Sequence, residues 1–197
     1  MTSVLIYGSM TSGMPIVTDT FNYEIVELLK TGKIGVIRTD TIYGIVGRAD
    51  DEAAVQRIYN VKKRDDHKPP IVLIATIDHM YDQPDESTRS VVKSVWPGRT
   101  SLIVKSPSAP QWLLRGQDTL AYRLPADVPL RQLISLTGPL VAPSANPQSL
   151  EPATSIQQAI DFFGDLVDFY VNGGEVIDTA PSQLLRINSD GALERLR

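Results

Sequence analysis

The stretch IGVIRTDTIYGIVG, Ile34 to Gly47, opens as a buried β-strand and then breaks the rule such strands follow. IGVIRT by itself predicts a strand. Arg38, Thr39, Asp40, Thr41 and Tyr43 then put a base, an acid, a phenol and two hydroxyls into the apolar run, which resumes after Gly44. Polar groups are costly to bury unpartnered. Two readings account for them. They form a strand end and turn, with Asp40 capping backbone amides. Or they line a concavity at a strand's carboxyl end, where α/β sheets commonly hold ligands. The residues of this stretch alone leave both open.

Working outward, TDTFNYEIVELLKTGK predicts a helix with Thr18 or Thr20 as N-cap. Ile25, Val26, Leu28 and Leu29 form its apolar face, and Gly32 stops it. DDEAAVQRIYNVKKR is helical, acidic at its start and basic at its end, as the helix dipole favours. PIVLIAT reads as a buried strand and ESTRSVVKSVWPG as a helix halted by Pro97-Gly98. SLIVK, TLAYRL and PLVAPS read as strands, with the helix VPLRQLISLTG between the last two. TSIQQAIDFFGD is helical, and LVDFYVNGG, QLLRI and ALERLR close the chain as strands. Strands outnumber helices, and short turns join some neighbours. The pattern predicts a mixed α/β sheet and not a strictly alternating doubly wound one.

Composition bounds the rest. With 197 residues, 42% of them hydrophobic, the chain can fill one core. The expectation is one domain over 1–197, with residues 1–17 an N-terminal extension, either a lead-in strand or flexible. A net charge of -4 argues against holding long nucleic acid by counterion release. The absence of cysteine removes thiolate chemistry and Cys-type zinc sites, and two histidines, His67 and His79, make no multi-histidine metal site. VLIY is too short for a signal-peptide core and no apolar run approaches the roughly 20 residues of a membrane span. A soluble, cytoplasmic protein is expected. VLIYGSMTSGMP mimics a phosphate loop, but Met14 and Pro15 stand where lysine and a hydroxyl are needed.

Three other segments end in groups that want partners. In AVQRIYNVKKRDDHKPP, Val55, Ile58 and Val61 form the apolar stripe. Lys62, four residues after Ile58 and seven after Val55, prolongs the buried face. A cation there must snorkel or meet an anion. Arg123 follows the strand TLAY, where a guanidinium wants a carboxylate or phosphate. APSANPQS packs Ser144 and Asn146 between prolines directly after an apolar strand.

Together these residues resemble the YrdC-type family of threonylcarbamoyl-AMP synthases, in its single-domain form. Arg38 to Ile45 resembles the family's Pro-Thr-Asp/Glu-Thr-Val-Tyr-Gly-Leu. Lys62-Lys63-Arg64 resembles its Lys-x-Arg, and Trp96-Pro97-Gly98 its Trp-Pro-Gly. Tyr122-Arg123-Leu124-Pro125, Ser144-Ala145-Asn146 and Pro181-Ser182-Gln183 follow in family order. The chain departs from the pattern at Arg38, Arg99, Pro143, Gln148 and Gln183.

The resemblance implies a twisted mixed β-sheet with flanking helices around a concave basic cavity. It implies a nucleotidyltransferase that joins L-threonine, bicarbonate and ATP, with Mg2+, into threonylcarbamoyl-AMP for tRNA N6-threonylcarbamoyladenosine formation. Downstream threonylcarbamoyl-transfer proteins would take the product. Carried over, Lys62 and Arg64 are catalytic, and Thr41, Arg123 and Gln183 bind L-threonine. Arg64, Lys68, Thr119, Ser144, Asn146, Thr154 and Arg197 bind nucleotide. Two alternatives stand beside this: an RNA-binding YrdC-like protein taking tRNA or double-stranded RNA, and a nucleotide-binding paralogue without synthase activity.

Overall fold

A computed structural model describes residues 14–188 and 192–197. Apart from Met14 and Pro15, the phosphate-loop mimic lies outside the described residues. Ten strands form one mixed sheet among them. From edge to edge they are β1 (Ile16–Thr18), β8 (Phe169–Val171), β2 (Gly35–Arg38), β3 (Tyr43–Arg48), β7 (Leu140–Val141), β4 (Ile71–Leu73), β6 (Thr119–Arg123), β5 (Thr100–Lys105), β9 (Gln183–Ile187) and β10 (Leu193–Arg195). The pairs β1–β8, β2–β8, β4–β6 and β5–β9 are parallel and the other five antiparallel.

The stretch that breaks the apolar pattern is a hairpin. β2 and β3 pair antiparallel, with Arg38 opposite Tyr43, and the Thr39 amide donates to the Ile42 carbonyl at 3.1 Å. The interrupted run is therefore two strands and a tip. Both strands are apolar on consecutive residues because both faces of the sheet are covered. Val36 and Ile45 join one core cluster, with Val55, Ile58, Tyr59 and Tyr122; Ile37 and Val46 join the other, with Ile25, Leu29, Leu133 and Phe169.

Helices α1 (Tyr23–Lys30) and α5 (Val128–Thr137) supply the second cluster. The helix α2 (Glu52–Lys62) packs on the first, as do α3 (Glu86–Val95), the short α4 (Gln111–Leu114) and α6 (Ile156–Phe163). Several boundaries differ from the sequence expectation. Neither Thr18 nor Thr20 caps α1. Thr18 is spent in β1, and Asn22 accepts from the Ile25 amide at 3.1 Å. Asp51 caps α2, which ends one residue before Lys63, itself left-handed at φ 52°. Lys63 and Arg64 therefore lie beyond the helix, not in its last turn. Four residues carry no detectable period, so α4 had no sequence signal. PLVAPS shrinks to Leu140–Val141 because Pro143 has no amide to donate to a ladder.

Gly35 marks a close approach between β2 and β8. A β-carbon there would lie 2.3 Å from the buried ring of Phe169. Gly35→Ala is expected to cost about 1–3 kcal/mol through overpacking, seen as a lower urea midpoint with an unchanged slope.

Candidate functional site

The hairpin tip meets the ends of several other segments around a cavity of about 310 Å³. Thr39 and Thr41 come from the tip, Tyr43 from the start of β3, Arg64 from the chain leaving α2, and Arg123 from the carboxyl end of β6. Ser144 follows β7, Ser182 precedes β9, and Arg197 comes from the last described segment. Glu151 and Thr179 complete the polar wall. Thr39 also faces a second hollow of about 980 Å³, lined by Arg38, Asp40, Asp127 and Asn172.

Asp40 meets more than the backbone amides of the capping reading, here its own and that of Ala126. Its carboxylate lies 3.1 Å from the Arg123 guanidinium, and both side chains are only 5% exposed. Burial pushes the Asp40 carboxyl above its usual range against the pull of Arg123, and burial likewise lowers Arg123 against the pull of Asp40. The same Arg123 nitrogen reaches the Thr39 hydroxyl at 3.5 Å, and that hydroxyl lies 3.0 Å from the Thr41 hydroxyl. Tip and strand end are thus one polar unit.

Lys62 is buried to 3% exposure, deeper than the half-buried Val61 that shares its turn. Its partners are carbonyls and not a carboxylate. The ammonium donates to the Ser144 carbonyl, to the Asn146 carbonyl at 2.5 Å and to Asn146 Oδ1 at 3.2 Å. Asn146 Oδ1 also accepts from Ser144 Oγ at 2.6 Å, and the Lys62 carbonyl accepts from the Gln148 amide at 3.0 Å. The end of α2 therefore holds the 144–148 loop in shape. Burial, with the nearby Arg64 charge adding to it, brings the Lys62 pKa down to about 7.

Arg64 donates to the Pro69 carbonyl at 3.2 Å. Arg197 donates to the Ser182 carbonyl at 3.2 Å and to its hydroxyl at 3.3 Å. Ser182 in turn lies 3.1 Å from the buried Ser101 hydroxyl. The wall is built from groups that fix one another.

Of the residues singled out in the sequence, Thr41, Arg64, Arg123, Ser144 and Arg197 line the cavity, with Lys62 and Asn146 bonded directly behind Ser144. The others are not brought there. Thr119 starts β6 opposite Lys105, at the far end of the strand from Arg123. Lys68 is exposed, 3.9 Å from Asp65. Thr154 is engaged with Gln158 before α6, its hydroxyl 3.2 Å from the Gln158 oxygen. Gln183 is exposed in β9, and the adjoining Ser182, buried to 2%, takes the cavity position. Strand alternation puts neighbours on opposite faces, so a one-residue shift inside Pro181-Ser182-Gln183 decides which one points in. Ser182, Thr39 and Glu151 were missed as site residues. The first two stood inside motifs already noted, whereas Glu151 carried no signal.

A mixed sheet whose segment ends converge on a cavity walled by three arginines and several hydroxyls defines the chain as an α/β protein. The family model for Sua5, YciO and YrdC, described as telomere recombination, matches residues 27–197, and the chain belongs to that family. It is 33% identical over 152 residues to the threonylcarbamoyl-AMP synthase of Pyrococcus abyssi (strain GE5 / Orsay), covering 75% of this chain and 45% of that protein. It is 32% identical over 173 residues to a putative threonylcarbamoyl-AMP synthase of Mycobacterium tuberculosis (strain CDC 1551 / Oshkosh), covering 85% of this chain and 78% of the relative. Among solved structures, P. abyssi Sua5 complexed with L-threonine superposes with a TM-score of 0.83 at 28% identity, over 94% of this chain and 57% of that one. The chain thus spans about half the length of the P. abyssi protein. E. coli YciO shares the fold, with a TM-score of 0.79 at 20% identity over 93% of both chains.

Two outcomes test this geometry. Asp40→Asn leaves the Arg123 charge buried without its partner and is expected to cost about 3–5 kcal/mol in urea unfolding; adding Arg123→Met should restore part of it. Lys62 releases its proton near pH 7 when folded, against an ordinary 10.5. Between those values the unfolded chain holds the extra proton, so Lys62 makes stability rise with pH across that window. The rise of wild type over Lys62→Met, measured at pH 7 and pH 9, is the check.

Proposed function

We propose that this chain makes threonylcarbamoyl-AMP from L-threonine, bicarbonate and ATP, releasing pyrophosphate, as the supply for tRNA N6-threonylcarbamoyladenosine. The observation that carries the reading is the meeting of Thr41, Arg64, Arg123 and Ser144 at one cavity, with Lys62 bonded behind it. The names of the relatives, and the L-threonine bound to P. abyssi Sua5, support it.

The chemistry asks for positioning and fixed charge more than for a nucleophile. The threonine amine adds to bicarbonate and loses water to give a carbamate. A carbamate oxygen then attacks the α-phosphorus as the bond to the β-phosphate breaks, and pyrophosphate leaves. Two anions must be held in line, and charge grows on the leaving group. Donors fixed beforehand meet both needs.

In this reading Arg64 holds the phosphates beside the reacting centre, and Arg197 with Ser182 lines the same wall. Thr41 takes the threonine side chain. Arg123 takes its carboxylate, since Asp40 uses only part of a fork with five donors. Ser144 contacts nucleotide from a loop that Lys62 and Asn146 keep rigid. An anion arriving beside Lys62 favours its charged form, so binding at pH 8 would take up a proton. Magnesium would ride on the triphosphate, as this ion usually does, and Glu151 is the carboxylate on the cavity wall that fits it.

Purified protein given ATP, bicarbonate and labelled L-threonine should form the adenylate and pyrophosphate, with glycine inactive. Arg64→Ala should lose about 2–4 kcal/mol of transition-state stabilisation, read as kcat/KM. No adenylate from wild type, or full activity in Arg64→Ala, overturns the reading or that role.

A further inference from the structure

Arg64 reaches the cavity wall from a loop, and a loop arginine needs something to hold it. The hydrogen bonds supply little: one contact to the Pro69 carbonyl at 3.2 Å, with the buried Nε lacking any partner. The guanidinium also lies against Tyr59, near its hydroxyl and with the ring centroid 5.6 Å away. Tyr59 is a core residue of α2, only 2% exposed. Its hydroxyl donates to the Lys68 carbonyl at 2.6 Å, and its own carbonyl accepts from the Arg64 amide at 3.0 Å. One tyrosine therefore ties down both the backbone of Arg64 and the loop that follows.

The same ring carries a second guanidinium. Arg115, at the left-handed end of α4 with φ 51°, sits 3.9 Å from the Tyr59 centroid with its side chain only 11% exposed. Its polar contacts are long, at 3.3 Å to Gln56 and 3.5 Å to Asp66, and its Nε and one terminal nitrogen are buried without partners. Its other neighbour is Tyr59, met at both the hydroxyl and the ring face. A guanidinium suits that place, because it is weakly hydrated and an aromatic face attracts a cation.

We propose that Arg115 is a positioning residue for Arg64: stacked on Tyr59, it fixes the ring against which the Arg64 guanidinium rests and so aims Arg64 at the site for an anionic phosphate group. The inference rests on Arg64 binding phosphate in the proposed reaction. Methionine in place of Arg115 fills much of the space but cannot match the planar cation, and lysine keeps the charge without the plane. Tyr59→Phe keeps the ring and releases the loop.

The test measures ATP binding, then KM for ATP and kcat, in the full chain carrying Arg115→Met, Arg115→Lys, Arg64→Met or Arg115→Met with Arg64→Met. Melting curves identify variants that unfold, and Tyr59→Phe offers a milder disturbance of the same brace. The expected result is at least a tenfold weaker ATP KM or kcat in Arg115→Met, little rescue by lysine, and no further loss when it is combined with Arg64→Met. Losses that multiply in the double variant, or full rescue by lysine, overturn the proposal. The Nε–H NMR signal of Arg64 gives a readout independent of turnover, and Arg115→Met should shift or broaden it; an unchanged signal also overturns the proposal. If wild type neither binds ATP nor forms product while that signal still responds to Arg115, the brace stands and the proposed reaction is what fails.

Discussion

The buried pair of Asp40 and Arg123 joins parts of the sheet that are not neighbours. Asp40 belongs to the tip between β2 and β3, whereas Arg123 ends β6, three places further along from β3 in the strand order. Two charges taken out of water are stable only when each has the other and further hydrogen bonds assist. Removing either leaves a buried charge, so tip and strand end must stay together. Thr39 and Thr41 are placed by the same arrangement, since their hydroxyls connect to it. The cavity is where these segment ends meet.

Lys62 does a similar service from the other side with different chemistry. Among the described residues its ammonium meets no carboxylate, only oxygens of the loop holding Ser144 and Asn146. A lysine so placed ties the loop to the end of α2. Arg64, two residues on, shares the same helix end and the same electrostatic neighbourhood. The shape of the cavity wall and the proton affinity of Lys62 are therefore linked through a few residues around the end of α2. The ring of Tyr59 lies one turn earlier and anchors the loop beyond.

Two arginines outside the wall of that cavity help to shape it. Arg38 donates to the Gly173 carbonyl at 2.6 Å, and Arg99 bonds Asp178 at 2.6 Å and the Ala180 carbonyl at 2.9 Å. Both pin the segment between β8 and β9, which brings Thr179, Pro181 and Ser182 to the cavity wall. These two cations thus serve the loop that shapes the wall.

The sequence by itself determined the mixed α/β class, most of the helices, and the motifs from which the cavity is built. Local periodicity and capping chemistry are short-range, and consecutive residues carry them. It also marked Lys62 as a buried cation, because helical spacing placed it on the core face. Only the tertiary structure decided whom these groups meet. Nothing local could show that Asp40 belongs to Arg123, that Lys62 is satisfied by carbonyls from 82 and 84 residues away, or that Ser182 and not Gln183 turns inward. Thr119 shares the strand of Arg123 and the same side-chain parity, yet strand rise carries it to the opposite end of that strand. Partners across a fold are set by strand order and register, and those emerge only when the whole core packs.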